Sequence, residues 1–225
     1  MVAMPGEVAV GRCLRPRESG EFTLKEKRSE FVAMLFRVDD ADEARAALDG
    51  IRRQHRGAAH HCPAWRIGFP QTQEFCSDDG EPAGTAGRPI LGELRKAQLC
   101  CAEVVVTRYF GGVKLGVRGL IDAYGAAAAA VIEKTSTELC APLRPLTLQF
   151  HYGHLNAFLR LIRCAQIAEE HIKTLFGVNA TLQVFAAPSA ERFLRGKLDE
   201  YETRLLLLEE PLWGEPRLLP LKGRE

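Results

Sequence analysis

The sequence predicts an α+β protein built from two α/β sandwich domains. Three observations indicate this class. Segments with the patterns of strands and of helices alternate along most of the chain, its 225 residues suffice for one large or two small domains, and the periodicity restarts near Pro142 and Pro145. We therefore expect a flexible N-terminal arm at residues 1–20, a first domain at 21–140 and a second domain at 141–225.

The composition is that of an ordinary soluble globular protein, with 46% hydrophobic residues, 26% charged residues and a formal net charge of +1. A net charge so close to zero excludes a surface that is basic throughout, so a phosphate-binding surface has to be local. The longest apolar stretch, residues 120–132, contains Asp122 and is far shorter than the roughly 20 residues that span a bilayer. Since the N-terminus lacks the features of a secretory signal, we expect a cytoplasmic protein with no membrane association.

The seven cysteines form no CxxC pair, which argues against a zinc ribbon and against a disulfide framework. We expect buried or free thiols. Cys62 follows His60 and His61, but adjacent residues of a strand point to opposite faces, so these three side chains cannot all bind one metal ion. The alternative of a cysteine nucleophile needs a neighbouring histidine and a third, orienting group.

In the first domain, the clearest elements follow from local composition. Residues 31–38 are β-branched and aromatic enough for a strand, after which Asp39 and Asp40 offer an N-cap to a helix. Residues 101–110 include three consecutive valines and predict a central strand buried on both faces. The alanine-rich run 120–134 predicts a helix that packs closely on a sheet. The remaining predicted elements are a helix with its apolar stripe at 44–55, strands at 60–69 and 71–78, and a helix at 90–97.

The second domain has the order strand, helix, strand, strand, helix, strand. This βαββαβ order is the ferredoxin-like pattern, with Gly177 in the hairpin between the two middle strands. The predicted elements are, in chain order, 146–151, 154–164, 169–176, 179–185, 189–201 and 204–209.

Two glycine-rich stretches of the first domain carry opposite charges. The acidic loop, residues 77–89, holds the carboxylates of Asp78, Asp79 and Glu81 among three glycines. Carboxylate oxygens are ligands that Mg²⁺ prefers, and glycines let the backbone approach a ligand closely. Two interpretations stay open at this point, a Mg²⁺ or phosphate site and a set of tight turns.

The basic loop, residues 108–119, holds Arg108, Lys114 and Arg118 without an acidic residue, and it leads from a strand into a helix. The N-terminus of a helix presents unpaired amides and a partial positive charge, so this loop is suited to an anion such as phosphate. It matches neither GxGxxG nor GxxxxGK[ST], which excludes the common nucleotide-binding motifs. The alternative is a tight strand-to-helix corner in which the glycines only shape the backbone.

Three long segments of the first domain together resemble the signature of the IMPACT family. They are HHCPAWRIG, FCSDDGEPAGTAGRPIL and VVVTRYFGGVKLGVRGLIDAYGAAAAAVIE, in that order within residues 59–133. The basic segment 25–31 is also similar to the start of the family pattern. Residues 141–212 resemble the additional C-terminal domain of the bacterial members.

The resemblance implies an N-terminal ribosomal-protein-like α/β domain and a C-terminal ferredoxin-like domain, similar to the fourth and fifth domains of elongation factor G. It also implies a role in translation, because the eukaryotic members regulate translation in the pathway that senses amino-acid starvation. For the bacterial members, it implies an association with nucleic acid or with the ribosome.

The leading hypothesis is therefore a cytoplasmic regulator of translation that binds RNA or a ribosomal surface without catalytic turnover. The predicted phosphate- or RNA-binding residues are Lys25, Lys27, Arg28, Arg108, Tyr109, Gly111, Gly112, Lys114, Gly116 and Arg118. Candidate residues of an adjoining cleft are His60, Arg66, Asp78, Asp79, Glu81 and Arg88. In this hypothesis Tyr109 or Trp65 stacks on an unpaired base.

Two rival hypotheses remain open. In the first, a metal-dependent hydrolase holds a divalent ion such as Mg²⁺ at Asp78, Asp79 and Glu81 and acts on a phosphate substrate. In the second, the chain is an adaptor whose second domain offers a sheet edge or face to a protein partner in translation control. The motifs supply no combination of nucleophile, base and orienting group, which favours binding over turnover.

Overall fold

The computed structural model describes residues 12–69, 72–203 and 206–221. These residues form two sheets and five α-helices, which confirms the predicted α+β class. They divide into two compact units between Cys140 and Ala141, and the last described residues, from Pro220, belong to the first unit. Residues 1–11 of the predicted arm lie outside the described residues.

The first unit is built on an antiparallel five-stranded sheet. In chain order the unit contains β1 (Cys13–Pro16), β2 (Gly20–Glu26), β3 (Ser29–Arg37), α1 (Ala41–Gln54), β4 (His60–Ile67), β5 (Gln73–Cys76), α2 (Gly87–Lys96), β6 (Ala102–Tyr109) and α3 (Gly116–Lys134). The order in the sheet is β2-β3-β6-β4-β5. The strand with three consecutive valines is therefore central, as predicted.

The main core of the first unit lies between this sheet and the helices α2 and α3. Phe31 and Val104 from the sheet and Tyr124 from α3 are fully buried in it. Ala127, on the inner face of α3, is also fully buried, since its small side chain lets the helix approach the strands. On the opposite face of the sheet, α1 packs through Ala44.

Residues 13–16 belong to the predicted flexible arm, yet they form the strand β1. Cys13 pairs in register with Cys140, on the strand that follows α3, and a disulfide joins Cys13 to Cys100. The expectation that every cysteine is a free thiol is therefore wrong for these two. The two cysteines are 87 positions apart, so local sequence patterns do not indicate that they pair. The other five cysteines are free.

The second unit contains the predicted βαββαβ order. Its elements, with the strand that enters it from the first unit, are β7 (Thr137–Phe150), α4 (Leu155–Cys164), β8 (Ile172–Phe176), β9 (Ala180–Ala186), α5 (Pro188–Thr203), β10 (Leu212–Trp213) and β11 (Arg217–Pro220). The strands β10, β7, β9 and β8 are neighbours in that order and all antiparallel, which is the ferredoxin-like arrangement.

The last strand of this pattern lies later in the chain than predicted. Of the predicted strand at 204–209, residues 204–205 lie outside the described residues. Leu206 and Leu207 pack against the core without forming a strand, and the pairing with β7 is made instead by Leu212 and Trp213. An apolar run that follows a helix can bury its side chains without joining a sheet. None of the helices described in either unit is long and apolar enough to cross a membrane.

Candidate functional site

One end of the first sheet gathers most of the segments that carry candidate residues. Because β4 and β6 are antiparallel, His60 at the start of β4 lies opposite Arg108 near the end of β6. Glu30, which follows the β2–β3 turn, lies opposite Tyr109. The acidic loop and the start of α3 also lie at this end, through the contacts that follow.

Asp78 organises the acidic loop. Its carboxylate accepts hydrogen bonds of 2.8–3.0 Å from the backbone N–H groups of Gly84, Ala86 and Gly87. Burial raises the pKa of Asp78, but these three hydrogen bonds, with the nearby charge of Arg88, outweigh that effect and hold the pKa below its ordinary value. The carboxylate thereby serves as the internal support of a turn that leads into α2.

Asp79 fastens the acidic loop to its neighbours. One carboxylate oxygen accepts a hydrogen bond from Arg52 on α1 at 3.1 Å, and the other accepts the backbone N–H of His61 at 2.7 Å. The backbone oxygen of Asp79 lies 2.8 Å from Nδ1 of His60. Both carboxylate oxygens are therefore bonded to groups of the protein itself.

Glu81 is the centre of a buried polar cluster. Its Oε1 accepts hydrogen bonds from Arg108 at 2.6 Å and from the hydroxyl of Tyr124 at 2.8 Å. Arg108 also donates to the hydroxyl of Ser29 at 3.4 Å, and Nε2 of His60 lies 3.9 Å from Oε1. The cluster joins the acidic loop to β3, β6 and α3.

Arg108, a predicted phosphate-binding residue, is buried and paired inside the protein. Its side chain is only 7% exposed, and its charge is paired with Glu81. The aromatic rings of Phe31 and Phe110 lie with their centroids 5.5 and 5.3 Å from its guanidinium carbon. The sequence could not show this, since Glu81 precedes Arg108 by 27 positions.

The carboxylates of the acidic loop, which the sequence offers as possible Mg²⁺ ligands, are used inside the protein. Asp78, Asp79 and Glu81 are each bonded to a different set of protein donors, so the three carboxylates do not face one point. Within the described ranges, no group of three or more His, Cys, Asp or Glu side chains is arranged to hold a metal ion. The tight-turn interpretation accounts for these hydrogen bonds.

Two further candidates have other roles. Burial raises the pKa of the Cys62 thiol to about 12, so this side chain is no nucleophile at neutral pH. Arg66 does not belong to a cleft with His60, because it lies at the opposite end of β4, roughly 20 Å away at the usual rise of a strand. There it donates to Glu74 at 2.9 Å and to the backbone oxygen of Leu99 at 2.8 Å.

Two basic segments meet beside the polar cluster. The β2–β3 turn places Lys27 and Arg28 in left-handed conformations, with φ of 42° and 69°, as a tight hairpin requires. Gly111 lies against this turn so closely that a Cβ there would be 1.8 Å from the backbone oxygen of Arg28. Because Gly111 has no Cβ, the β2–β3 turn and the basic loop can pack against each other at this point.

We call the exposed cations of these two segments the basic surface. Its members share an exposed, positively charged side chain and are Lys25, Lys27, Arg28, Lys114 and Arg118. Arg118 pairs with Asp122 at 3.0 Å, whereas the other four make no salt bridge with any residue that the structure describes. Apolar side chains are exposed on the same segment, at Phe110 and at Val117.

The aromatic and glycine candidates are distributed around this surface. The hydroxyl of Tyr109 lies 2.8 Å from Nδ1 of His55, and Trp65 stacks on Phe75, so both predicted stacking residues are engaged within the protein. Phe110, which is not among the residues predicted from the sequence, is 51% exposed. The two glycines that follow Phe110 are the sequence feature that indicates an exposed loop position. Gly112 and Gly116 have positive φ values of 82° and 76°.

The comparisons with known proteins agree with the sequence motifs. The family model of the Impact N-terminal domain matches residues 27–132, which include both loops and the polar cluster. The chain is 39% identical over 138 residues to the IMPACT family member YigZ of Escherichia coli (strain K12), covering 60% of this chain and 68% of YigZ.

Two solved structures are also similar. The crystal structure of a hypothetical protein is 30% identical, with 95% of this chain and 99% of that chain covered and a TM-score of 0.61. The two-domain translational regulator Yih1 is 28% identical, with 60% of this chain and 50% of that chain covered and a TM-score of 0.36.

Proposed function

Because this chain belongs to the IMPACT family, as a YigZ-like member, we propose that it is a cytoplasmic regulator of translation that binds RNA or a ribosomal surface without catalytic turnover. The family resemblance supports the role in translation. The observation that carries the binding is the basic surface, because the β2–β3 turn and the basic loop pack together at Gly111 and both carry exposed cations.

Phosphate is the partner that the basic surface fits. Lys25, Lys27, Arg28 and Lys114 are exposed and form no salt bridge with a described residue, so contact with phosphates breaks no such internal pair. Each cation that contacts a phosphate also releases a condensed counterion, which favours binding at low salt. Phe110 beside them offers a ring on which an unpaired base can stack.

The polar cluster fixes the backbone of the segments that carry the basic surface. Arg108 and Glu81 join the end of β6 to the acidic loop, and Gly111 follows Arg108 by three positions on the segment that packs on the β2–β3 turn. The backbone that carries the cations is therefore held by buried contacts before any partner arrives. Such preorganisation reduces the conformational entropy lost on binding.

The test is the salt dependence of RNA binding. We expect Lys114→Ala combined with Arg118→Ala to weaken binding to single-stranded RNA of any sequence, and to lower the slope of log affinity against log salt by about two phosphate contacts. Fluorescence anisotropy at several salt concentrations measures this slope. Co-sedimentation with ribosomes, at low and at high salt, measures the same loss on the larger partner.

The matched control removes two positive charges elsewhere. Arg160 and Arg163 are exposed on α4 of the second unit, and Arg160→Ala combined with Arg163→Ala changes the net charge equally. We expect this control to leave the salt slope as in the unmodified chain. An unchanged slope in the Lys114 and Arg118 double variant would remove the basic surface from the proposal.

A second candidate is a protein adaptor, because the second unit exposes apolar side chains. Phe176 and Val178, in the β8–β9 hairpin, are 69% and 95% exposed, and Tyr152 stacks on Phe176. We expect Phe176→Ser with Val178→Ser to reduce co-sedimentation with ribosomes while RNA affinity stays unchanged, if this hairpin contacts a protein partner. Loss of RNA affinity in this variant would argue against the adaptor.

A further inference from the structure

A pocket of about 330 Å³ lies between α1 and the first sheet, on the face opposite α2 and α3. Leu48 of α1 and Pro63 of β4 form apolar walls. Trp65 and Phe75 add an aromatic wall, with ring centroids 5.6 Å apart and planes inclined by 23°. Apolar pockets of this size, with few polar groups, are typical binding sites for small organic molecules.

Glu103 is the buried polar group of this pocket, which Arg45, Arg52 and Ser77 also line. It belongs to the central strand β6, is 1% exposed and lines the pocket. It lies opposite Trp65 and Phe36 on the two neighbouring strands. Its Oε2 is buried and has no hydrogen-bond partner in the described structure. A buried carboxyl oxygen without a partner is costly, so a ligand that hydrogen-bonds to it would gain free energy.

The protonation state of this carboxyl follows from its surroundings. Burial raises the pKa of Glu103 to about 8. The titratable groups that line the pocket with it are Arg45 and Arg52 of α1, and His61 lies two positions before Pro63 on β4 with a pKa that burial lowers. At neutral pH the Glu103 side chain is therefore mostly a neutral acid, which donates one hydrogen bond and accepts another.

We propose that this pocket binds the adenine base of a nucleotide. The base stacks against the aromatic wall of Trp65 and Phe75. Its ring nitrogen accepts the proton of the Glu103 carboxyl, and its exocyclic amino group donates to the carbonyl oxygen of the same carboxyl. Arg45 and Arg52 also line the pocket; they pair with Asp42 and with Asp79, but with side chains 68% and 45% exposed they place positive charge near the phosphate.

The chemistry selects adenine over guanine. Adenine presents a donor beside an acceptor, which matches a neutral carboxyl, whereas guanine presents two donors, N1–H and N2–H, which match an ionised carboxylate. The inference does not rest on the proposed function, because the pocket and the basic surface share no residue. The adenine nucleotide can be free or can be part of single-stranded RNA.

The direct test is a titration with AMP and with GMP, read from the fluorescence of Trp65 in a chain with Trp213→Phe. We expect AMP affinity to fall by about tenfold between about pH 7 and about pH 9, because the neutral form of Glu103 is lost across its pKa. GMP affinity should not fall over the same range. Equal AMP affinity at both pH values would overturn the proposal.

Two variants distinguish the role of the Glu103 carboxyl in binding from its role in folding. In Glu103→Gln the amide still donates and accepts, so AMP binding should persist and lose its pH dependence. In Glu103→Leu both hydrogen bonds are lost, and we expect affinity to fall by about tenfold or more. Phe75→Ala, at a side chain that is 46% exposed, should weaken AMP binding in a chain that folds. AMP binding in Glu103→Leu at full strength would refute the site.

A short oligoadenylate RNA distinguishes the two sources of the base. If it competes with AMP and loses affinity in Glu103→Leu, the pocket takes a base of RNA. If only AMP binds, the ligand is a free nucleotide. Lys114→Ala with Arg118→Ala should leave AMP affinity unchanged, so failure of the basic surface and failure of the pocket give different results. Absence of binding by both probes overturns the inference.

Discussion

The acidic loop and the basic loop carry opposite charges, and the structure uses them in different ways. Both are glycine-rich, and both lead into a helix. The carboxylates of the acidic loop are hydrogen-bonded inside the protein. Asp78 accepts from three backbone N–H groups, and Glu81 accepts from Arg108. The charge of Lys114 in the basic loop faces solvent.

This difference teaches that a run of charged residues among glycines does not indicate exposure. Carboxylates are good acceptors for the free N–H groups of a turn, so an acidic loop can satisfy its own backbone. Lysine and arginine only donate, so they cannot satisfy the free N–H groups of a turn. Substitutions in the two loops should therefore affect different properties, stability in one and binding in the other.

The largest expected effect is at the Glu81–Arg108 pair. We expect Glu81→Leu alone to lower the free energy of unfolding by about 3–5 kcal/mol, because it leaves the buried charge of Arg108 without a partner. Chemical denaturation measures the loss. The matched control is the exposed pair of Arg118 and Asp122, where Asp122→Asn should lower it by less than about 1 kcal/mol.

A double variant sharpens this prediction. Glu81→Leu combined with Arg108→Met replaces both charges with apolar groups, and its loss of stability should be smaller than the sum of the two single losses. Additive losses would show that the two side chains do not act as a pair.

The next effect is at Asp78. We expect Asp78→Ala to lower the free energy of unfolding by about 2–3 kcal/mol, because it leaves backbone N–H groups of the loop without acceptors. The pKa of Asp78 is lowered in the folded chain, so this contribution is present above about pH 4 and is lost as the pH falls through the folded-state pKa. Unfolding curves of the variant and the unmodified chain should therefore converge in acid. A constant difference down to low pH would contradict this account.

Gly111 should affect both stability and binding, because it lies in the basic loop and packs against the backbone of Arg28. We expect Gly111→Ala to lower the free energy of unfolding by about 1–3 kcal/mol, because its Cβ would strike the backbone of Arg28. It should also weaken RNA binding by separating the hairpin from the loop. Gly57→Ala is the control for adding a methyl group, since nothing lies within 4 Å of a Cβ there. Equal effects of the two variants would show that the close approach has no role.

The smallest effect on stability is expected for the basic surface itself. Lys114→Ala with Arg118→Ala should change the free energy of unfolding by less than about 0.5 kcal/mol, because both side chains are exposed. The same protein should show the reduced salt slope in RNA binding. A large loss of stability would mean that the basic loop is a structural element like the acidic one.

The parts of the fold that could be predicted depend on local patterns. Three consecutive valines identified the central strand β6, and the alanine run identified most of α3, because burial on both faces and close helix packing leave a composition that can be recognised. The shift of the last strand to Leu212 and Trp213 was not predicted, since Leu206 and Leu207 have strand-like composition but are buried against the core.

The differences between the expected and the observed roles of the site residues have a common cause. The residue type alone places Arg108 at the surface, and it makes Asp78, Asp79 and Glu81 possible metal ligands. Their partners lie on other elements, such as Glu81 for Arg108 and Arg52 for Asp79. The Cys13–Cys100 disulfide is another case. A single sequence gives the chemistry of each side chain but not its distant neighbour.

The central strand β6 is the last of the five sheet strands to leave the ribosome during synthesis. The β2–β3 and β4–β5 hairpins can form as soon as they are made, but neither touches the other until β6 enters between β3 and β4. Until then the edges of β3 and β4 that β6 later covers stay open, and open strand edges favour aggregation. Closing the sheet also requires slow, non-local pairing. The first unit is therefore most vulnerable to misfolding in the interval between the synthesis of β5 and that of β6.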